Sequence, residues 1–284
     1  MRRFALLLMI ALSLGIGTAT AAEKGKILYS RLTDDAWQIW QIDLESGRRS
    51  QLTFSPGDKR YPVWTPDGRV AYHATQHACY LVEGNTPGVP VIKELWPVSD
   101  VTWSPDGTKI AFSKYETGVV DLANLWISDA QEKEPQIITH ETGLQNNAAW
   151  SPDSSRIAYV HSHGYKSADI YILNSDGSGR IQLTNNQARD FLPAWSPDGK
   201  KIAFTSDRSG DYEIWVMNAD GKEANQLTDF PGLDTRPVWS PDGSKIAFTS
   251  NRSGTMEIWV MTADGTDQQL LEHAEGGACD PAWR

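Results

Sequence analysis

One phrase constrains this chain more than anything else in it: Pro193-Ala194-Trp195-Ser196-Pro197-Asp198-Gly199-Lys200-Lys201-Ile202-Ala203-Phe204. It reads as a short strand ending in Trp195, a tight turn, and a second strand carrying Ile202 and Phe204. Proline presets φ at the second turn position, Asp bonds back to nearby backbone, and Gly accepts φ > 0. The tryptophan before the turn also occurs at Trp64, Trp103, Trp150, Trp239 and Trp283, with successive copies 39, 47, 45, 44 and 44 residues apart. The turn is Ser-Pro-Asp-Gly after Trp103, Trp195 and Trp239, Thr-Pro-Asp-Gly after Trp64, and Ser-Pro-Asp-Ser after Trp150, where Ser154 replaces the glycine. One hairpin unit has been copied along nearly the whole chain.

Each copy continues in the same way. An alternating strand follows the turn, as in Val70-Ala-Tyr72, Ile110-Ala-Phe112, Ile157-Ala-Tyr159, Ile202-Ala-Phe204 and Ile246-Ala-Phe248. A third strand is centred on Trp40, Tyr80, Trp126, Tyr171, Trp215 or Trp259, and a short fourth closes the unit, as in Gln51-Leu-Thr53 and Gln226-Leu-Thr228. Four strands in a period near 44 residues are the dimensions of a propeller blade. The expected fold is all-β: a six-bladed β-propeller of four-stranded blades over residues 23–284. Residues 26–53 lack a first strand and residues 279–284 are nothing but one, so the C-terminal strand is expected to complete the N-terminal blade and remove two exposed sheet edges. A linear stack would leave both half-blades unpaired.

The first residues carry a different signal. Arg2 and Arg3 precede an apolar run, Phe4 to Ile16, and Ala19-Thr20-Ala21 fits a signal-peptidase site. The run is short of the roughly 20 apolar residues that span a bilayer. Residues 1–22 are therefore expected to be a signal peptide, with a periplasmic or secreted product and no stable membrane span. Removing Arg2 and Arg3 from the 26 basic residues leaves 24 against 36 acidic ones, which repels nucleic-acid phosphates. Cys79 and Cys279 are the two cysteines. They can pair in an oxidising compartment or stay as buried thiols, since a chain of this length buries a core without a staple.

The phrase Pro-Ala-Trp-Ser-Pro-Asp-Gly-Lys-Lys-Ile-Ala-Phe-Thr-Ser, followed by Glu-Ile-Trp-Val-Met-Asn-Ala-Asp-Gly and Gln-Leu-Thr, resembles the TolB-type propeller repeat. The resemblance covers essentially all of the chain after residue 23. It implies the propeller, a periplasmic compartment and a protein or peptide partner: the family's namesake belongs to the Tol–Pal envelope system and binds the peptidoglycan-associated lipoprotein and an N-terminal peptide of some colicins. The namesake also carries an N-terminal α/β domain, for which only a few residues are present before Lys26. Similar repeats occur in dipeptidyl-peptidase-like enzymes, whose Gly-x-Ser-x-Gly elbow has no counterpart here. They occur too in pectate-oligosaccharide lyases that hold a metal on several histidines.

Residues present in every copy are scaffold, so departures from the repeat are the candidates for function. Loops after the second and fourth strands are longer and divergent, and that face is where a site is expected. Ten of the twelve tryptophans occupy repeat positions; Trp37 and Trp96 do not, and both are expected in loops of that face, as interface anchors or as local packing. Acidic and amide residues precede the first strands at Asp58, Asp100, Asn147, Asp190, Asp234 and Asp280. They form either a ring at one channel mouth, fit for a cationic group or Ca²⁺, or backbone caps where loops enter strands. Arg208 and Arg252 are expected to pair with neighbouring carboxylates. The histidines are His73, His77, His140, His161, His163 and His273, of which His161 and His163 share a strand side and could hold a metal.

No nucleophile–base pairing or phosphate-binding glycine loop is visible. The expected function is a non-catalytic, monomeric protein- or peptide-binding scaffold of the cell envelope. The enzymatic alternative is a metal-assisted oligosaccharide lyase or hydrolase using the divergent-face histidines and carboxylates.

Overall fold

In a computed structural model, the described residues are 25–74, 78–82, 89–90, 98–116, 122–131, 133–162, 164 and 167–284. The signal-peptide expectation, Trp96, His77 and His163 lie outside them. Among them no helix is long and apolar enough to cross a membrane.

The strands run, in chain order, β1 (Lys26–Thr33), β2 (Ala36–Asp43), β3 (Arg48–Gln51), β4 (Lys59–Trp64), β5 (Val70–Ala74), β6 (Ala78–Leu81), β7 (Val89–Pro90), β8 (Val98–Trp103), β9 (Lys109–Tyr115), β10 (Ala123–Asp129), β11 (Gln136–Ile137) and β12 (Leu144–Trp150). They continue as β13 (Arg156–Ser162), β14 (Ala168–Asn174), β15 (Ile181–Gln182), β16 (Asp190–Trp195), β17 (Lys201–Ser206), β18 (Glu213–Asn218), β19 (Asn225–Gln226), β20 (Asp234–Trp239), β21 (Lys245–Ser250), β22 (Glu257–Thr262), β23 (Gln269–Glu272) and β24 (Ala278–Trp283). The all-β propeller is observed, but six separate four-stranded blades are not. Four sheets have four strands each, β24-β1-β2-β3, β4 to β7, β16 to β19 and β20 to β23, while β8 to β15 form a single eight-stranded sheet.

The merger has a local cause. The start of β10 pairs in parallel with the start of β12 through Ala123 and Leu144, and the Ala123 N–H donates to Gly143 O over 3.2 Å. The equivalent approaches elsewhere, Ala168 to Arg189 and Tyr212 to Leu233, remain isolated bridges outside the ladders. The count is therefore corrected by a backbone contact that no side-chain pattern announces.

The repeated phrase folds as its chemistry demands. In the turn after Trp195, Ser196 Oγ donates to Asp198 Oδ1 (2.6 Å), the Lys200 N–H donates to the same oxygen (3.0 Å), and the Gly199 N–H closes onto Ser196 O (2.9 Å). The same serine–aspartate bond pulls the Asp242 carboxyl down to about 2, helped by the Ser244 N–H and hydroxyl. Second strands are the most buried, because neighbouring sheets cover both their faces. Ile202, Ala203 and Phe204 are fully buried, as are Ile246, Ala247 and Phe248. Each tryptophan before a turn packs on the preceding sheet: Trp195 joins Ala158, Ile170 and Ile172, and Trp239 joins Ala203, Ile214 and Val216. Burying an aromatic of this size removes about 150–250 Å² from water, a gross gain of roughly 4–6 kcal/mol. Finally, β24 pairs antiparallel with β1, so that the last strand completes the sheet of β1 to β3 and β1 is not left as an edge, while β24 is that sheet's inner edge on the channel.

Candidate functional site at the channel mouth

The innermost strands β4, β8, β12, β16, β20 and β24 surround one central cavity of about 740 Å³. Each carries the same irregularity. Pairing with the second strand slips between Arg60 and Val63, Ser99 and Thr102, Asn146 and Ala149, Phe191 and Ala194, and Thr235 and Val238; the β1–β24 ladder slips likewise between Leu28 and Ser30. Within each slip one non-glycine residue takes a left-handed conformation: Tyr61, Asp100, Asn147, Leu192, Arg236 and Asp280, with φ between 52° and 59°. These are β-bulges, and all six residues line the cavity. Left-handed backbone at a residue bearing a Cβ costs about 1–2 kcal/mol, so the bulge is built against local preference in every inner strand. Proline follows it at Pro62, Pro193, Pro237 and Pro281. Proline lacks the N–H that a bulge leaves unpaired, and it drives the preceding residue away from right-handed helix geometry.

The bulge sorts the acidic residues expected at this mouth into two rows. Asp100, Asn147 and Asp280 stand three residues before their tryptophans, at the bulge and on the cavity. Asp190 and Asp234 stand five before and are buried at strand starts. Asp190 pairs with Arg208 at 2.8 Å and accepts from Asn186 Nδ2 at 2.7 Å; Asp234 pairs with Arg252 at 2.5 Å. Asp58 accepts the Trp37 N–H at 3.0 Å. They are not one ring. Tyr61, Leu192 and Arg236 complete the bulge row and escaped the sequence reading, although a residue wedged before Pro three positions ahead of each tryptophan marks them.

Charge divides the mouth. Asp280 is clamped between Arg60 Nε (2.7 Å) and Arg236 Nε (3.0 Å), contributed by the inner strands on either side of β24. Burial pushes its carboxyl up, but Arg236 and Arg60 win and hold it below the usual carboxylate range. The Arg236 guanidinium lies 4.3 Å from the Tyr61 ring centre, and that of Arg60 lies 4.3 Å from Trp37. His73 meets the Tyr61 ring edge-on at 6.2 Å. Its burial keeps the imidazole below its ordinary pKa, against the pull of Asp100 and with the push of Arg236. Across the mouth, Asp100 Oδ2 accepts the Asn147 N–H (3.3 Å) and the Ser99 hydroxyl (3.2 Å). One side thus offers cations stacked on aromatics, the other a carboxylate and an amide.

Trp37 is a strand residue rather than a loop residue. It sits in β2 opposite Leu32, half-buried and covered by Arg60, which ties it to the Asp280 cluster. His161 accepts from Arg180 Nη2 at Nδ1 (3.0 Å) and donates through Nε2 to Thr142 O (2.8 Å), so neither ring nitrogen is directed at a shared metal position. His273 contacts the buried Glu257 carboxylate, and His140 is exposed. Among the described residues no three His, Cys, Asp or Glu side chains cluster as metal ligands. Of the residues expected as oxygen donors for Ca²⁺, Asp190, Asp234 and Asp280 each face an arginine. Both cysteines are free thiols.

Comparison with known proteins bears on the fold and the family. A Bacillus subtilis protein described as an uncharacterized peptidase, YuxL, is 40% identical over 111 residues, covering 38% of this chain and 17% of its own. The Tol-Pal system protein TolB of Anaeromyxobacter dehalogenans is 37% identical over 96 residues, covering 33% of this chain and 20% of its own. The chain thus matches about a fifth of the length of these relatives. The crystal structure of TolB from Acinetobacter baumannii superposes with a TM-score of 0.78 at 23% identity, over 91% of this chain and 66% of that one. A family profile described as the TolB beta propeller domain matches residues 89–212 and 208–284. These matches take in more than half of the sequence, and the chain belongs to the TolB β-propeller domain family.

Proposed function

We propose that the protein is a non-catalytic envelope scaffold, periplasmic or secreted, that holds an extended segment of a partner protein in the mouth of its central channel. The observation that carries this reading is the bulge row. Within inner strands that otherwise repeat, Tyr61, Asp100, Asn147, Leu192, Arg236 and Asp280 differ in chemistry from one strand to the next and line one cavity. A set of dissimilar side chains on a repeated backbone is what recognition of one particular sequence needs, and a rigid receptor loses little entropy on binding an extended chain. The exposed rings of Phe54, Tyr61 and Phe230 add apolar contact area in the loops after fourth strands and at the mouth. The Asp58–Trp37–Arg60 contacts make Trp37 a supporting residue of the Tyr61 side. The formal net charge of −10 disfavours nucleic acid as the partner.

The test is photo-crosslinking in intact cells from a benzophenone amino acid at Tyr61, with the exposed turn position Gly47 as control. A discrete adduct from position 61 that is absent from position 47 is expected. Equal or absent adducts at both positions overturn the reading. Stoichiometric manganese or zinc in the purified protein would instead favour the lyase alternative.

A further inference from the structure

The charges on the wall of the central cavity are matched with one exception. Among the described residues Asp100, Arg236 and Asp280 line it, and Arg236 is bound to Asp280 at 3.0 Å. The deeper acids of the inner strands are matched as well, Asp190 by Arg208 and Asp234 by Arg252. Asp100 is half-buried and stands alone. Its Oδ2 accepts the Asn147 N–H (3.3 Å) and the Ser99 hydroxyl (3.2 Å), while Oδ1 has no hydrogen-bond partner, and no Arg or Lys reaches the carboxylate, among the described residues. The His73 imidazole feels the Asp100 charge, but burial holds it below its ordinary pKa, so at neutral pH it brings no positive charge. On the next inner strand Asn147 is also half-buried on the cavity wall, and its side-chain amide makes no hydrogen bond to a described residue. Neither side chain is among those with sealed, unsatisfied polar atoms, so both are reached from the channel.

We propose that the segment held in the channel mouth presents an arginine or lysine side chain to Asp100, with the Asn147 amide oxygen as a second acceptor. The proposal rests on the channel-mouth reading and names the chemistry that this one position selects. Guanidinium and ammonium groups carry donors only, and so suit two neighbouring acceptors, one of them charged. The apolar stem of such a side chain finds cover on the same wall, where Val101, Trp103 and Tyr115 line the cavity, and an aromatic face attracts the cation itself. An acidic residue would be repelled here, and an uncharged one would leave a partly desolvated carboxylate without a counter-charge. The formal net charge of −10 favours the approach of a cationic segment.

The probe is a library of random dodecapeptides displayed on their mRNA and selected on the full chain. Binders of the wild type should carry Arg or Lys at one fixed position. Resynthesised with fluorescein on the N-terminus, so that no α-ammonium is present, they should lose at least about tenfold in affinity by anisotropy when that Arg becomes citrulline or that Lys becomes norleucine. On Asp100→Asn the same replacement should change affinity by less than about twofold. Asn147→Asp places a second carboxylate on a backbone conformation that Asp100 and Asp280 already adopt, with φ of 53° and 59°. It should bind the basic peptides at least about threefold more tightly, a gain that misfolding does not imitate. Binders with no basic position overturn the proposal, as does equal loss on wild type and Asp100→Asn, or no saturable binder at all. Displacement of the peptides by millimolar calcium from the wild type but not from Asp100→Asn would make this a metal position and overturns it too. A discrete cellular adduct at Tyr61 alongside any of these results leaves the channel-mouth reading standing; loss of the adduct removes that reading and this one together.

Discussion

The indole N–H of Trp195 donates to the backbone oxygen of Ala149 over 3.1 Å, joining one sheet to the strand before it. The bond repeats as Trp239 to Ala194 (3.1 Å), Trp150 to Thr102 (3.3 Å) and Trp64 to Ala282 (3.2 Å). In every case the acceptor is the residue just before the neighbouring repeat tryptophan. The tryptophan therefore does two things: it fills the space between sheets and it sets the height of one inner strand against the next. Trp195→Ala should cost about 3–5 kcal/mol, and Trp195→Phe should lose about 1–3 kcal/mol by orphaning the Ala149 oxygen and shrinking the ring. Urea melts followed by circular dichroism measure both; a loss under about 1 kcal/mol for the alanine variant would contradict the packing described.

The two acidic rows should respond in opposite ways. Arg208→Leu leaves the fully buried Asp190 carboxylate facing only Asn186, and a destabilisation of about 3–5 kcal/mol is expected. Asp100→Asn keeps an acceptor for the Asn147 N–H and should change stability by less than about 1 kcal/mol, while weakening capture of the partner at the channel mouth. Paired denaturant melts and crosslinking yields separate the outcomes.

Asp280 is shared by two arginines, Arg60 and Arg236, as Glu272 is by Arg31 and Arg49, and it lies on β24, which pairs with β1. Asp280→Asn leaves Arg60 and Arg236 without a counter-charge while retaining an oxygen, and should cost roughly 2–4 kcal/mol. Because the folded carboxyl is held below its unfolded value, the wild-type gain is complete above about pH 5 and fades as the carboxyl protonates on acidification. The variant should therefore be least inferior to wild type in strong acid, as read from melts at a series of pH values.

His73 gives a handle of the same sign in a higher pH window. Burial keeps its folded-state pKa below the unfolded value of about 6.5, so in that window the unfolded chain binds more protons. Stability from this residue is full above about pH 7.5 and is lost as pH falls through 6.5 towards the folded value. His73→Gln should flatten the stability profile between about pH 5 and 7. An unchanged slope would mean the imidazole is not buried as described.

Ser154 occupies the glycine position of its turn with φ of 60° and accepts the Asp106 N–H through Oγ at 3.1 Å. Relief of left-handed strain outweighs one exposed hydrogen bond, so Ser154→Gly should stabilise by roughly 0.5 kcal/mol. A calorimetric midpoint that falls instead would show the Asp106 contact to be the larger effect.

Propeller architecture, the pairing of the chain ends, the turn chemistry and the scaffold role of the repeat tryptophans were all legible in the amino-acid order. Each depends on periodic local signals: alternation of apolar residues, Pro-Asp-Gly turns and a fixed interval between tryptophans. The salt bridges of Arg208 and Arg252 were legible as well, because the loops carrying them repeat. The count of separate sheets was not, since one parallel contact between Ala123 and Leu144 merges two sets of strands without altering any pattern of side chains. Nor was the membership of the channel row. Asp58, Asp190 and Asp234 look equivalent to Asp100, Asn147 and Asp280 when counted from strand starts, but a bulge inserts one residue and turns the side chains on either side of it to different surroundings. The sequence by itself determined which strands form and how they repeat, because those are short-range preferences summed many times over. Only the tertiary structure decided which residues share the channel and that Asp280 lies between Arg60 and Arg236. Those relations join residues as far apart as 60 and 280, and they exist only once the inner strands are brought round a common axis.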